Sequence, residues 1–152
     1  VSGVTHNKKE VKFTLFEVPD QPGIAGTVFG SLSEIGINVD MIVQNVSKDS
    51  ITDISFTAPT EQKDIVEKEL IKISKELNAK GYDIDETVGR VSIIGAGMKS
   101  ESGVASKMFK ILGEHSINIS MISTSPIRIS CVIDSKDIET ALEVLHKEFI
   151  EK

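Results

Sequence analysis

The chain has one cysteine in 152 residues, Cys131, so no internal disulfide can staple the fold. Its three histidines, His6, His115 and His146, lie far apart and without the spacing of metal ligands. Arg90 and Arg128 are the only arginines. Both lie on or next to expected strands and neither is near the candidate loops around Gly23 and Gly103, which disfavours a small α+β phosphatase of the acylphosphatase kind. Lysine and arginine together number 17 against 23 acidic residues, a formal net charge of −6. That sign disfavours nucleic acid and anionic membrane surfaces as partners, since both need clustered cations against phosphate. No apolar run approaches the roughly 18–20 residues that span a bilayer. There is no Gly-x-Ser-x-Gly elbow and no Ser, His and carboxylate set. The expectation is a chain without catalytic residues, metal ligands or cofactor. Val1–Glu10 is polar and lacks the apolar centre of a signal peptide. The first residue is Val rather than Met, as in a fragment of a longer protein or a processed chain. With Cys131 inside an apolar alternation, a reduced core residue of a cytoplasmic protein is expected.

What the sequence has is repetition. Gly23, Ala25, Phe29, Leu32, Glu34, Ile37, Asn38, Met41 and Ile42 recur as Gly103, Ala105, Phe109, Leu112, Glu114, Ile117, Asn118, Met121 and Ile122, all at one constant offset. A single duplication is too few units for a solenoid, so two sister domains are expected.

Each copy follows the same grammar. Val11, Phe13 and Leu15 alternate with Lys12 and Thr14, as in a half-buried strand. Asp20-Gln-Pro-Gly23 is suited to opening a helix. Ile24, Val28, Leu32 and Ile35 form an apolar stripe at helical spacing, stopped by Gly36. Period two returns at Ile37, Val39, Met41 and Val43, with Asn38, Asp40 and Gln44 on the other face. A strand through Ile54 and Phe56, a helix striped by Val66, Leu70, Ile73 and Leu77, and a short strand over Tyr82–Val88 complete a β-α-β-β-α-β order. That order predicts an α+β fold, a four-stranded antiparallel sheet with both helices on one face. The second copy runs Val91–Ile94, a helix over Gly103–Leu112, strands over Ile117–Ser123 and Ile127–Ile133, and a helix over Ile138–Phe149. It then ends at Lys152 without a fourth strand. Residues 1–7 are left over ahead of the first copy, and are expected to supply it. The expected domains are residues 8–87, and 88–152 together with 1–7.

The polar residues admit two readings at each place. Gly95-Ala96-Gly97 follows an apolar strand, but Ser100 stands where a dinucleotide fingerprint needs its third glycine. It is then either a tight turn or a small anion pocket, in which the amides at Gly103 and Val104 and the helix dipole hold a carboxylate. Asp20 is either a helix cap or the partner of a ligand's ammonium. Gln44 is placed to read a side-chain hydroxyl or amide, and Asp40 is either a solvated strand residue or the counter-charge of a second ammonium. Ser123-Thr124-Ser125 is either an ordinary hairpin end or part of a polar site.

At these residues the chain resembles the tandem ACT regulatory region of aspartokinases. The carriers are Asp20-Gln-Pro-Gly23, Ile37-Asn-Val-Asp-Met-Ile-Val-Gln-Asn45, Thr52-Asp-Ile-Ser-Phe56, Gly95-Ala-Gly-Met-Lys-Ser100 and Ile117-Asn-Ile-Ser-Met-Ile-Ser-Thr-Ser125. The resemblance implies two ferredoxin-like ACT domains that bind threonine, lysine or both and inhibit a kinase catalytic domain or subunit, working as a homodimer. One effector site would use Asp20, Gly23, Ile24, Ala25 and Gln44, closed by Asn118 and Ile119 of the other ACT unit. A sister site would use Asp40, Met98, Ser100, Gly103, Val104, Ala105, Thr124 and Ser125. Pro126 stands where the family usually has Glu, which removes a partner for a lysine ammonium and an N–H donor. Threonine at the first site is therefore the firmer expectation. An ACT-type regulator of another amino-acid enzyme and a dimerisation-only module are the alternatives.

Overall fold

The computed structural model describes residues 1–45, 48–95 and 103–151. Along the chain come β1 (Gly3–Asn7), β2 (Glu10–Pro19), α1 (Ile24–Glu34), β3 (Ile42–Gln44), β4 (Ile51–Pro59), α2 (Lys63–Glu76) and β5 (Gly81–Asp85). They are followed by β6 (Val88–Ile94), α3 (Val104–Glu114), β7 (Ile119–Ser125), β8 (Arg128–Asp134) and α4 (Ile138–Phe149). The chain divides into two compact units: Glu10–Glu86, and Val1–Lys9 joined with Thr87–Lys152.

In the first unit the strands lie in the order β3-β4-β2-β5, every neighbouring pair antiparallel. Alternation along β2 sends Val11, Phe13 and Leu15 into one core, where they meet Ile54, Phe56 and Ala58 of β4. The helices deliver Ile24, Val28 and Leu32, and Val66, Leu70 and Ile73, to that same core. Each such buried side chain contributes about 1.5–3 kcal/mol relative to exposure. Phe56 is the hub: Phe13 stacks on it at 5.2 Å and Phe29 meets it edge-on at 5.6 Å. A bulge between Leu15 and Val18 interrupts β2. There Glu17 takes a left-handed φ of 49°, and its N–H donates to the Asp53 carboxylate at 2.8 Å.

The second unit has the order β1-β6-β8-β7, again antiparallel throughout. Its own three strands occupy the places of β2, β3 and β4, and β1 takes the place of β5, running from Gly3 opposite Ile94 to Asn7 opposite Arg90. Ser2 N–H extends the pairing with a 2.7 Å bond to Ile94 O, and Val1 and Val4 pack against the core. Lys8 Nζ ties the following residues to α4 through Glu139 at 3.0 Å; that hydrogen bond, then the lysine's charge, holds the Glu139 carboxyl below the ordinary range. The core is mainly aliphatic, with Val91, Ile93, Leu112, Ile129, Ile133, Ile138 and Leu145 around the sulfur-bearing Met108 and Cys131, and Phe149 at its margin. Burial pushes the Cys131 thiol up to about 12, so it is a neutral packing group.

Three local expectations change. The strand expected from Ile37 has a ladder only over Ile42–Gln44. Before it the backbone meets β4 only at Thr57, where Asp40 N–H donates to Thr57 O at 2.9 Å, Thr57 N–H to Met41 O at 3.0 Å and Met41 N–H to Thr57 Oγ1 at 3.1 Å, while Asn38 N–H goes to the Gln62 side chain. Val88 opens β6, opposite Asp134, instead of closing the first copy's last strand. Ile35 is 41% exposed, because the helix has already ended there. Gly36, at φ 77°, turns the chain so that Ile37 N–H reaches back to Leu32 O at 3.1 Å. Ser116 makes the same turn in the second unit at φ 58°, with Ile117 N–H on Leu112 O at 3.0 Å.

Candidate functional site

Strand pairing gathers the first unit's candidates at one end of its sheet. Pro19, closing β2, lies opposite Ile51, and Gln44, closing β3, lies opposite Ile54. The ends of these two strands therefore converge on the start of β4, with the entry to α1 following directly from β2. Asp20 N–H donates to Ser50 O at 2.8 Å, which fixes the loop to the β3–β4 hairpin.

Asp20 does not cap the helix. The N-cap of α1 is Gly23, held at φ 90°, with no side-chain cap and no acidic residue in the first turn. Gly23 suits this place because a side chain at that φ is strained. Ile24 N–H bonds to Gln21 O at 3.2 Å and Thr27 N–H to Gly23 O at 2.9 Å. The Ala25 and Gly26 amides are left without an acceptor among the described residues, at the positive end of the helix dipole. Ile24 is buried and anchors the turn, whereas Asp20, Gly23, Ala25 and Gln44 are exposed. This corner thus offers amide donors and a carboxylate, the two groups an α-amino acid needs.

The second unit repeats the arrangement. Ile94 of β6 and Ser125 of β7 both lie opposite Arg128 at the start of β8, and Thr124 lies opposite Ile129. Gly103 is the N-cap of α3 at φ 91°, again without a side-chain cap, and Val104 and Ala105 form the first turn. Ser125 is partly engaged in its own hairpin: its hydroxyl accepts from Ile127 N–H at 3.4 Å and donates to Arg128 O at 3.5 Å. Met98 and Ser100 lie outside the described residues.

Asp40 and the pair Asn118–Ile119 are not brought to these corners within their own units. Ile119 lies opposite Ile133, at the far end of β7 from Thr124. Asp40 precedes β3, its N–H bonded to Thr57 O at 2.9 Å, at the far end from Gln44. By the repeat, Asn118 and Ile119 correspond to Asn38 and Val39, and Asp40 to Ser120.

The wall beside the first corner carries no functional signature in the sequence. A depression of about 340 Å³ is lined there by Glu17, Asn45, Lys48, Asp49, Ile51, Thr52 and Asp53. Asp53 holds the Glu17 bulge, and Thr52 Oγ1 donates to Asn45 O at 2.6 Å, so this wall is internally braced. The motif Thr52-Asp-Ile-Ser-Phe56 was the available signal, but nothing in its spacing tells that Asp53 faces a bulge 36 residues earlier. Among the described residues no group of His, Cys, Asp and Glu is arranged to hold a metal, and no helix is long and apolar enough to cross a membrane.

Comparison with known proteins gives two matches to the ACT domain, over residues 13–84 and 91–149. The aspartate kinase of Pseudomonas fluorescens is 46% identical over 149 residues, covering 98% of this chain and 36% of that protein. An aspartokinase of Helicobacter pylori is 45% identical over 146 residues, again 36% of its length. The chain thus spans about a third of the curated relatives it matches. Among solved structures, a chain of the aspartokinase alpha and beta subunits superposes with a TM-score of 0.92 at 42% identity, with 98% of both chains covered. The ligand-free regulatory subunit of aspartate kinase from Thermus thermophilus superposes with a TM-score of 0.92 at 36% identity, also with 98% of both covered.

Proposed function

This chain belongs to the aspartokinase family, as its tandem ACT regulatory region, and from that premise we propose that it senses an amino-acid end product. The observation that carries the reading is the uncapped entry to α1: Gly23 stands at the N-cap while the nearby Asp20 carboxylate caps nothing. An effector's carboxylate accepts from the Ala25 and Gly26 amides, aided by the helix dipole. Its ammonium pairs with Asp20, and Gln44 reads a side-chain hydroxyl, which favours threonine. Asn118 and Ile119 close the site from the other ACT unit across a homodimer. The sister site uses Gly103, Val104, Ala105, Thr124, Ser125, Met98 and Ser100, with Asp40 as counter-charge. Pro126 leaves that site poorer for lysine.

The regulated partner is an aspartokinase catalytic domain or subunit, which transfers phosphate from ATP to aspartate in the cytoplasm. An effector acts on it only by binding one arrangement of the ACT units better than another. Threonine, lysine or both favour the arrangement that holds the kinase inactive.

Thermal unfolding with threonine, lysine, both, and other amino acids tests the sensor reading. A ligand of the folded state alone stabilises by about 2.7 kcal/mol at a hundredfold excess over its dissociation constant. A shift selective for threonine or lysine is expected; no shift with either refutes the effector assignment and leaves a dimerisation module. Asp20→Ala is expected to weaken threonine at least about tenfold while leaving the midpoint of the free protein intact, since a lost charge-assisted bond costs about 1.5–3 kcal/mol. Unchanged affinity refutes the role given to Asp20.

A further inference from the structure

Val11, Phe13 and Leu15 of β2 enter the core by period two, but the next buried residue is Val18, three positions on. The extra residue is the bulge, where β2 advances from Leu15 to Val18 while β4 advances only from Ile54 to Thr52. It reverses the phase of the strand, since one added residue sends every later side chain to the other face. Counting on by twos from Val18 gives Asp20. The bulge therefore turns that position toward the face of the sheet against which Ile24, Val28 and Leu32 of α1 are packed.

Two bonds hold the bulge. Phe16 O accepts from Lys80 N–H at 2.9 Å on the β5 side, and Glu17 N–H donates to Asp53 Oδ1 at 2.8 Å on the β4 side. Glu17, at φ 49°, has a conformation that costs a residue with a Cβ and persists only where its surroundings impose it. The backbone of Asp53 serves the other arm of the corner, its carbonyl accepting from the N–H of Asn45, next to Gln44, at 3.1 Å. The second unit is built differently. Its β6–β8 ladder runs without a bulge from Val88 to Ile94. Arg128, opposite Ser125, stands where Asp53 stands beside Asn45, and its side chain has no acceptor.

We infer that Asp53 is a positioning residue for the effector corner of the first unit. Its carboxylate holds the bulge that turns Asp20 toward the α1 amides, and its carbonyl holds the strand end that carries Gln44. It acts through the bulge and not on the ligand. The role at the corner rests on the amino-acid-sensor reading; the hold on the bulge does not. An N–H needs only an acceptor, so the carboxamide oxygen of Asn serves in place of the carboxylate, whereas a direct contact with a ligand's ammonium needs the charge.

The test makes Asp53→Ala and Asp53→Asn in the full chain and reads amide hydrogen exchange by NMR beside threonine titration by calorimetry. Asp53 lies outside the core cluster, so both variants are expected to keep a cooperative unfolding transition. Asp53→Ala is expected to speed exchange at Glu17 and to weaken threonine, each at least about tenfold, through loss of one hydrogen bond. Asp53→Asn is expected to match the wild type in both. Adding Glu17→Gly to Asp53→Ala is expected to recover most of the lost affinity, because glycine takes that φ without strain; this double variant also serves should Asp53→Ala alone not fold. Unchanged Glu17 exchange in Asp53→Ala overturns the hold on the bulge. Faster exchange with wild-type threonine affinity overturns the positioning role. Threonine weakened as much in Asp53→Asn as in Asp53→Ala, or a folded double variant that recovers nothing, overturns the route through the bulge. A wild type that binds no threonine defeats the sensor reading and the positioning role together, while exchange at Glu17 still decides the hold on the bulge.

Discussion

The first unit completes its sheet within Glu10–Glu86, whereas the second takes its fourth strand from the other end of the chain. The strand order is otherwise the same, so the shared β-α-β-β-α grammar decides how three strands and two helices pack, and the fourth place is simply the open edge beside the first strand. Any segment of suitable alternation that can reach that edge fills it. The cores differ as well. Phe56 sits at the centre of an aromatic cluster in the first unit, and its counterpart by strand register in the second is Cys131. Two copies of one plan thus reach closed cores with different side chains and different strand sources.

Removing residues 1–7 is expected to separate the two units most strongly. The second unit should lose roughly 5 kcal/mol, from five paired residues and the packing of Val4, while the first is untouched. Hydrogen exchange would show it as lost protection along β6 with β2 unchanged; unaltered β6 protection would mean that β1 adds nothing to the unit. Next in size is the core contrast. Phe56→Ala is expected to cost about 3–5 kcal/mol, and Cys131→Ala only about 1 kcal/mol, in chemical unfolding. Equal losses would show that the two cores are organised alike despite their composition.

The turn after the first helix gives a smaller and signed effect. Ser116 bears a left-handed backbone that glycine adopts freely, so Ser116→Gly is expected to stabilise by about 0.5–1 kcal/mol, and Gly36→Ser to cost a similar amount. Opposite changes in urea midpoint would bear this out, and a loss in both would not. The smallest effect belongs to the tie between Lys8 and Glu139. The folded-state pKa of Glu139 is lowered, so its contribution is present above the ordinary carboxylate pKa and is lost as pH falls through the lowered one. Lys8→Ala should lower stability slightly at pH 7 and match the wild type once the pH is well below the lowered pKa, and a difference that persists in strong acid would refute an electrostatic origin.

Much of this molecule was legible in the sequence, for local reasons. The constant offset between Gly23–Ile42 and Gly103–Ile122 marks the duplication. Period two at Val11, Phe13 and Leu15, and helical spacing at Ile24, Val28 and Leu32, mark which face each element buries, because side-chain direction is set by backbone repeat alone. Gly23 and Gly36 mark the helix ends, because a positive φ strains other residues. The missing strand could be counted. The rest was set by partners far apart in the chain: the register of β1 on β6, the Asp53 carboxylate under the Glu17 amide, the short β3 whose approach bonds to Thr57 and Gln62, and the release of Asp20 from capping. Each depends on which backbone groups are already satisfied when distant elements meet, and a hydrogen bond between residues dozens of positions apart leaves no periodic trace in the sequence.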